Sequence, residues 1–213
     1  MSNLATIRAT VRIDLQDEDT SNERWPDATL DRHIKRALRD YSLVSPLEQK
    51  STLQTAQSSR DVDVSGLTPR VRIVAAEYPT GEYPPSYVPF SLWGETLTLD
   101  LLGAPGGTPN VAVYWHKVHT INGTVTFPST HDDLIATGAA GYAALEWASF
   151  SSNRLNVGGD EVWGRYLEFA NVRLAAFREQ LRALPSAGRA RTSRLYAPVD
   201  ARFTSQSTDP GPV

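Results

Sequence analysis

Cysteine is absent from this chain. That one absence excludes a disulfide scaffold, a cysteine-ligated zinc finger, an iron–sulfur centre and a cysteine nucleophile. It fits a protein assembled in a reducing cytoplasm and held by packing and neighbours. Long hydrophobic runs are also missing: no stretch of about 18 apolar residues occurs, so no membrane-spanning helix and no membrane partner are expected. The opening MSNLATIRATVRIDLQ mixes apolar and charged residues and has no signal-peptide core. Charge of one sign is lacking. The 21 basic and 24 acidic residues leave a net charge of −3, so the chain as a whole does not look like a nucleic-acid binder.

Of its 213 residues, 40% are hydrophobic and 21% charged. That is enough for a real core in one ordinary domain, or one with a sizeable insertion. The charge is uneven. Residues 1–185 carry 17 basic and 22 acidic side chains, whereas residues 186–213 carry 4 and 2. An acidic body thus ends in a basic stretch.

Helical periodicity occupies both ends of the body. Ser2 can cap a first helix, in which Leu4, Ile7, Val11 and Leu15 fall on one face. Asp17-Glu18-Asp19 reads as a solvated loop. Trp25-Pro26-Asp27 suits a helix start, and Leu30, Ile34, Ala37, Tyr41 and Val44 form an apolar stripe ending near Pro46. A third helix follows Pro128, with Asp132 and Asp133 in its first turn. Gly138 and Gly141 inside it each cost about 1 kcal/mol against alanine, so close packing should compensate. A fourth runs from about Asp160 to Leu184, with Trp163, Leu167, Ala170, Leu174, Phe177, Leu181 and Leu184 as a heptad seam.

Between residues 50 and 128 the texture changes to threonine, valine, proline and glycine. Ser51–Ala56, Val62–Val64, Val71–Glu77, Thr96–Leu101, Val111–Val118 and Val125–Phe127 read as strands of a small antiparallel module. Asn122-Gly123 is the strongest hairpin turn. The expected fold class is therefore α+β. A four-helix bundle core (residues 1–49 and 129–185) carries an inserted small antiparallel β module (50–128). A C-terminal arm (186–213), disordered in isolation, follows.

Chemistry-bearing patterns are sparse. Among the four histidines, His116 and His119 lie three apart, which puts them on opposite faces of a strand. With no cysteine and no H-E-x-x-H, no metal site is expected. Asp132 and Asp133 are adjacent and cannot face each other as a catalytic pair. Ala104-Pro105-Gly106-Gly107 lacks the Lys-Ser/Thr of a phosphate loop. Ser149, Ser151 and Ser152 sit in no nucleophile elbow. No catalytic residue and no cofactor are expected.

Two segments suggest binding instead. The stretch Tyr78–Phe90 interleaves aromatics and prolines, and Tyr83, Tyr87 and Phe90 are its candidate contacts. Three readings stay open there: an interface with a neighbouring subunit or tail partner, a sugar-binding strip, or a loop folded over the module's own core. In the last stretch Arg189, Arg191, Arg194 and Arg202 are mixed with Leu195, Tyr196 and Phe203. That mixture suits an arm that orders on a partner, with apolar anchors docking and arginines pairing.

Glu23-Arg24-Trp25-Pro26-Asp27-Ala28-Thr29-Leu30-Asp31-Arg32-His33-Ile34-Lys35-Arg36-Ala37-Leu38-Arg39-Asp40-Tyr41-Ser42 resembles the early helix of the head-to-tail connector (adaptor) proteins of tailed bacteriophages. His131–Trp147, with its Gly-Ala-Ala-Gly-Tyr-Ala centre, is similar to the alanine-rich helix of the same family. Val111–His119 looks like the strand of longer members that carry a β insertion. The resemblance covers about half the chain and rests on the order of these motifs.

It implies a non-enzymatic virion protein of the neck region, assembled in the host cytoplasm. Such proteins form a ring, typically a dodecamer, beneath the portal protein. The ring extends the channel for viral double-stranded DNA and offers a surface to the stopper or tail proteins. Arg189, Arg191, Arg194, Leu195, Tyr196, Arg202 and Phe203 would then dock on the portal. The rivals are a DNA-binding regulator using helix 26–41, where Arg32, Lys35, Arg36 and Arg39 cluster, and a carbohydrate-binding module using Tyr83, Tyr87 or Trp93.

Overall fold

The structure is a computed structural model, and it describes residues 3–108, 110–122, 125–152 and 161–184. The fold is α+β, with two small antiparallel sheets. The described residues contain four α-helices: α1 (Leu4–Leu15), α2 (Asp27–Val44), α3 (Asp132–Ser151) and α4 (Val162–Ala183). Seven strands lie between α2 and α3: β1 (Leu47–Leu53), β2 (Asp61–Asp63), β3 (Arg70–Glu77), β4 (Tyr87–Val88), β5 (Phe90–Trp93), β6 (Thr96–Leu99) and β7 (Val111–Lys117). One sheet has the order β1-β7-β3-β4 and the other β2-β6-β5. The chain divides into two compact units. The helical unit takes residues through Gln49, Leu67–Arg72 and the chain from Trp115 to the end of α4; the β unit takes Lys50–Gly66 and Ile73–Tyr114.

In the helical unit each helix forms for a local reason. Asn3, rather than the expected Ser2, caps α1: its side-chain oxygen accepts the Thr6 N–H at 2.8 Å. Gln16 closes the helix in the left-handed conformation, and the next N–H, that of Asp17, bonds back to the Arg12 carbonyl at 2.9 Å. Helix α2 begins after Pro26 and stops two residues short of Pro46, as its stripe predicts. Leu30, Ile34, Ala37 and Tyr41 are buried.

Helix α3 is apolar nearly all round and packs against α1, α2 and α4. Its glycines allow the close approach expected of them. A Cβ on Gly138 would stand 2.9 Å from the Phe177 ring, and one on Gly141 2.8 Å from Leu174. Both are nearer than real Cβ contacts come, so the missing side chains are what let α4 lie against α3. The heptad seam of α4 is realised over Ala170, Leu174, Phe177 and Leu181, which are buried. Trp163, at its start, stands 42% exposed, away from the two glycines that permit close contact.

Several strand expectations are corrected. Val125–Phe127 is not a strand. Phe127 joins the helical core, edge-on to Tyr41, while the Thr126 N–H returns to the Thr120 carbonyl and closes a short loop. Of the expected Asn122-Gly123 turn, Gly123 lies outside the described residues. The tight two-residue hairpin is instead Gly94-Glu95, between β5 and β6, with Trp93 opposite Thr96. Gly94 has φ +58°, which an L side chain resists. Strands β4 and β5 lie where Pro84, Pro85 and Pro89 mask strand periodicity.

Candidate functional site

The β unit presents the aromatic surface. Its scaffold is a buried carboxylate. Glu77, at the end of β3, accepts hydrogen bonds from the Tyr114 hydroxyl (2.6 Å), the Lys50 ammonium (3.1 Å) and the Gly81 N–H (3.2 Å). Burial pushes this carboxyl up, but the three donors and the lysine charge outweigh it, so Glu77 titrates below its ordinary value. Lys50 is raised by its bonds to Tyr114 and Glu77, and Tyr114 is raised, chiefly by burial. The Lys50 ammonium also lies 4.8 Å from the Tyr114 ring centre.

This network fixes the start of the aromatic-proline loop. Beyond it the Tyr78 N–H bonds to the Ser86 carbonyl (2.9 Å) and the Thr80 N–H to the Asn110 carbonyl (3.1 Å). Glu77 then pairs with Tyr87 across the β3–β4 ladder. The base of the loop is thereby pinned. Tyr83, at its tip, is 81% exposed. Tyr87, braced against the Tyr114 ring at 5.8 Å, is 41% exposed. Phe90 is half-buried. Sequence reasoning gave less weight to Trp93, which is 90% exposed beside the Gly94 turn, next to the exposed Leu92. A hairpin tip that needs glycine was the available signal. The surface is acidic as well as aromatic: Asp61, Asp63, Glu82, Glu95 and Asp100 stand against Lys50 and Arg60 in this unit.

The arm residues Arg189, Arg191, Arg194, Leu195, Tyr196, Arg202 and Phe203 lie outside the described residues.

In the helical unit, two cations of α2, both exposed, have partners on α3. Arg32 pairs with Glu146 of α3, and the Arg36 guanidinium lies 3.9 Å from the Tyr142 ring centre. The Tyr142 hydroxyl bonds to Asp40. Lys35 and Arg39 are exposed as well. His33 is buried, and its Nε2 lies 2.7 Å from Glu146 Oε2 without hydrogen-bond alignment. Burial lowers its titration against the raising effect of Glu146, with Arg32 and Arg36 adding to the lowering.

The remaining histidines also have structural partners. His116 Nδ1 accepts from Arg72 Nε at 3.0 Å. His119, beyond the end of β7, reaches the Ser45 carbonyl (2.9 Å) and the Thr126 hydroxyl (3.0 Å). Both are depressed, first by burial. His131 Nδ1 meets the Tyr41 hydroxyl at 2.8 Å.

Asp17, expected in a solvated loop, is instead buried. It accepts the Arg24 and Trp25 N–H groups and pairs with Arg12 at 2.9 Å. Among the described residues no group of three or more His, Asp or Glu is placed to hold a metal ion, and no helix is long and apolar enough to cross a membrane. No protein-family model matches the chain, and no curated protein matches it.

Proposed function

We propose that this chain is a structural protein of the tailed-phage neck, a head-to-tail adaptor that assembles as a ring beneath the portal. The observation that carries the reading is the β unit's exposed large apolar side chains at Tyr83, Tyr87, Leu92 and Trp93. Exposed aromatics are the composition of contact surfaces and a liability on a free monomer. The motif order of α2 and α3, and the resemblance it carries, supply the particular assembly. In the ring, repeated heterologous contacts close around an axis. Residues 186–213 embrace the portal through Arg189, Arg191, Arg194, Leu195, Tyr196, Arg202 and Phe203. Tyr83, Tyr87 and Phe90 face a neighbouring subunit or the stopper and tail proteins. Viral DNA slides through with weak contact, as a net-acidic body suits. The protein catalyses no reaction and takes no cofactor. It resides in the virion neck after assembly in the host cytoplasm.

The test is attachment. Mass photometry of the full chain mixed with portal-containing heads, and cryo-EM of the product, should show a ring of this protein bound at the portal vertex. A chain lacking 186–213 should stay folded and fail to attach. Normal attachment of that truncated chain would remove the arm from the proposal, and no attachment of the full chain would remove the proposal itself.

A carbohydrate-binding β unit is the second reading, favoured by the exposure of Trp93 and Tyr83; glycan-array binding lost on Trp93→Ala would support it. A DNA-binding regulator is disfavoured by the internal partners of Arg32 and Arg36. A salt-dependent gel shift with short duplex DNA would revive it.

A further inference from the structure

Three aromatic rings from three parts of the helical unit converge around one guanidinium. Trp25 stands just before α2, Trp147 on α3 and Tyr166 on α4. Their ring centres are 5.7 Å (Trp25–Trp147), 6.2 Å (Trp25–Tyr166) and 6.4 Å (Trp147–Tyr166) apart, with interplanar angles of 62°, 73° and 67°. Rings this steeply inclined form the walls of a cup rather than a stack. The Arg24 guanidinium carbon sits 5.6 Å from the Trp25 ring centre, 5.2 Å from that of Trp147 and 5.4 Å from that of Tyr166. A cation over three electron-rich faces at these distances is a recurrent recognition geometry.

The way Arg24 is held makes the cup more than a packing detail. Its main chain is pinned: the Arg24 N–H donates to Asp17 Oδ1 at 2.7 Å and the Trp25 N–H to Oδ2 at 3.2 Å, with Arg12 locking the same carboxylate at 2.9 Å. Its side chain is not pinned in that way. Among the described residues no carboxylate pairs with the Arg24 guanidinium, and the residue is exposed to solvent. Among the described residues the rings are its partners, and the head group can leave them without breaking an ion pair there.

We infer that Trp25, Trp147 and Tyr166 form a receptor cup for an arginine side chain of a partner chain, with Arg24 as the resident occupant that the incoming arginine replaces. The ligand class follows from the walls. With no carboxylate among its described walls the cup selects through ring faces, which favours the planar, weakly hydrated guanidinium over the compact, strongly hydrated lysine ammonium. Arg24 competes as a tethered ligand, so the cup is only fractionally free and the incoming arginine binds more weakly than to an emptied cup. This inference is independent of the adaptor reading.

Titration of the full ¹⁵N-labelled chain with N-acetyl-arginine methylamide tests it, reading the indole N–H signals of the five tryptophans. Trp147→Phe assigns the Trp147 signal. Arg24→Ala and Arg24→Gln should each show saturable movement of the Trp25 and Trp147 signals alone, with millimolar dissociation. Wild type should bind about tenfold more weakly, because Arg24 competes. The lysine analogue should bind about tenfold more weakly than the arginine one, and Trp147→Ala in the Arg24→Ala background should abolish the response. No saturation in either folded variant, equal binding of both analogues, equal affinity in wild type, or uniform movement of all tryptophans would overturn the inference. If both variants lose the fold, the wild type decides: the same two signals must move at high concentrations of the arginine analogue.

Discussion

Glu77 is the residue on which the β unit's loop depends. It is buried, yet Lys50 beside it is half in water and Gly81 is exposed, so deleting the carboxylate strands chiefly the half-buried Tyr114 hydroxyl. Glu77→Ala should lower stability by about 1–3 kcal/mol, the cost of leaving a buried polar group unsatisfied. Urea unfolding followed at the β unit measures it; an unchanged midpoint would show that the loop is held otherwise.

The histidines give a pH dependence of definite sign. His33, His116 and His119 all titrate below the ordinary histidine value, with burial the leading cause. Their contribution to stability is fully present above the unfolded value of about 6.5. As pH falls through that value the unfolded chain binds protons that the folded chain refuses, so the unfolding free energy drops. The urea midpoint should therefore fall between pH 7.5 and 5.5, and His119→Gln should flatten that fall. A midpoint rising on acidification would contradict the assignment.

At the scale of elements, the α3–α4 pair supplies a test with opposite signs. Alanine at Gly138 or Gly141 adds helix propensity of about 1 kcal/mol, but its Cβ would meet Phe177 or Leu174 at under 3 Å. Overpacking of a tight interface costs about 1–3 kcal/mol, so both variants should be destabilised or at best neutral. Gly164 lies in α4 with open space around its Cβ position. Gly164→Ala should stabilise by about 0.5–1 kcal/mol. Thermal melts of the three variants check the contrast, and pairing Gly141→Ala with Leu174→Ala should recover part of the loss. If Gly138→Ala and Gly164→Ala shift the melt alike, close packing is not what the α3 glycines serve.

Other elements show what is legible in the sequence. The stripes of α1 and α2 read correctly because one buried face imposes a 3.6-residue period. Strands β4 and β5 did not, because they are two and four residues long and set among prolines. Phe127 misled in the other direction. Its short apolar run looks like a strand, but the run is spent on the core around Tyr41 and His119. Asp17 was equally illegible, since nothing local distinguishes a carboxylate that turns back to cap two N–H groups from one in solvent.

At the scale of the whole molecule, the assembly proposal rests on the charge division between residues 1–185 and 186–213 and on the aromatic surface of the β unit. Trp93→Ala and Tyr83→Ala should leave the melting temperature within a degree or two of wild type, since both side chains lie almost wholly in solvent. Under the adaptor reading they should nevertheless weaken ring closure or tail attachment, readable by mass photometry and by the yield of tailed particles. Variants that assemble normally would move the contact surface off the β unit.

The sequence by itself determined the helices, most strands, the absence of thiol chemistry and the need for close packing at Gly138 and Gly141. These follow from local periodicity and composition, which act before the chain meets itself. Only the tertiary structure decided which aromatics face water, which histidines are buried, and that Trp25, Trp147 and Tyr166 gather around Arg24. Those facts join residues as far as 142 positions apart in the chain, and no local pattern encodes a meeting that packing alone brings about.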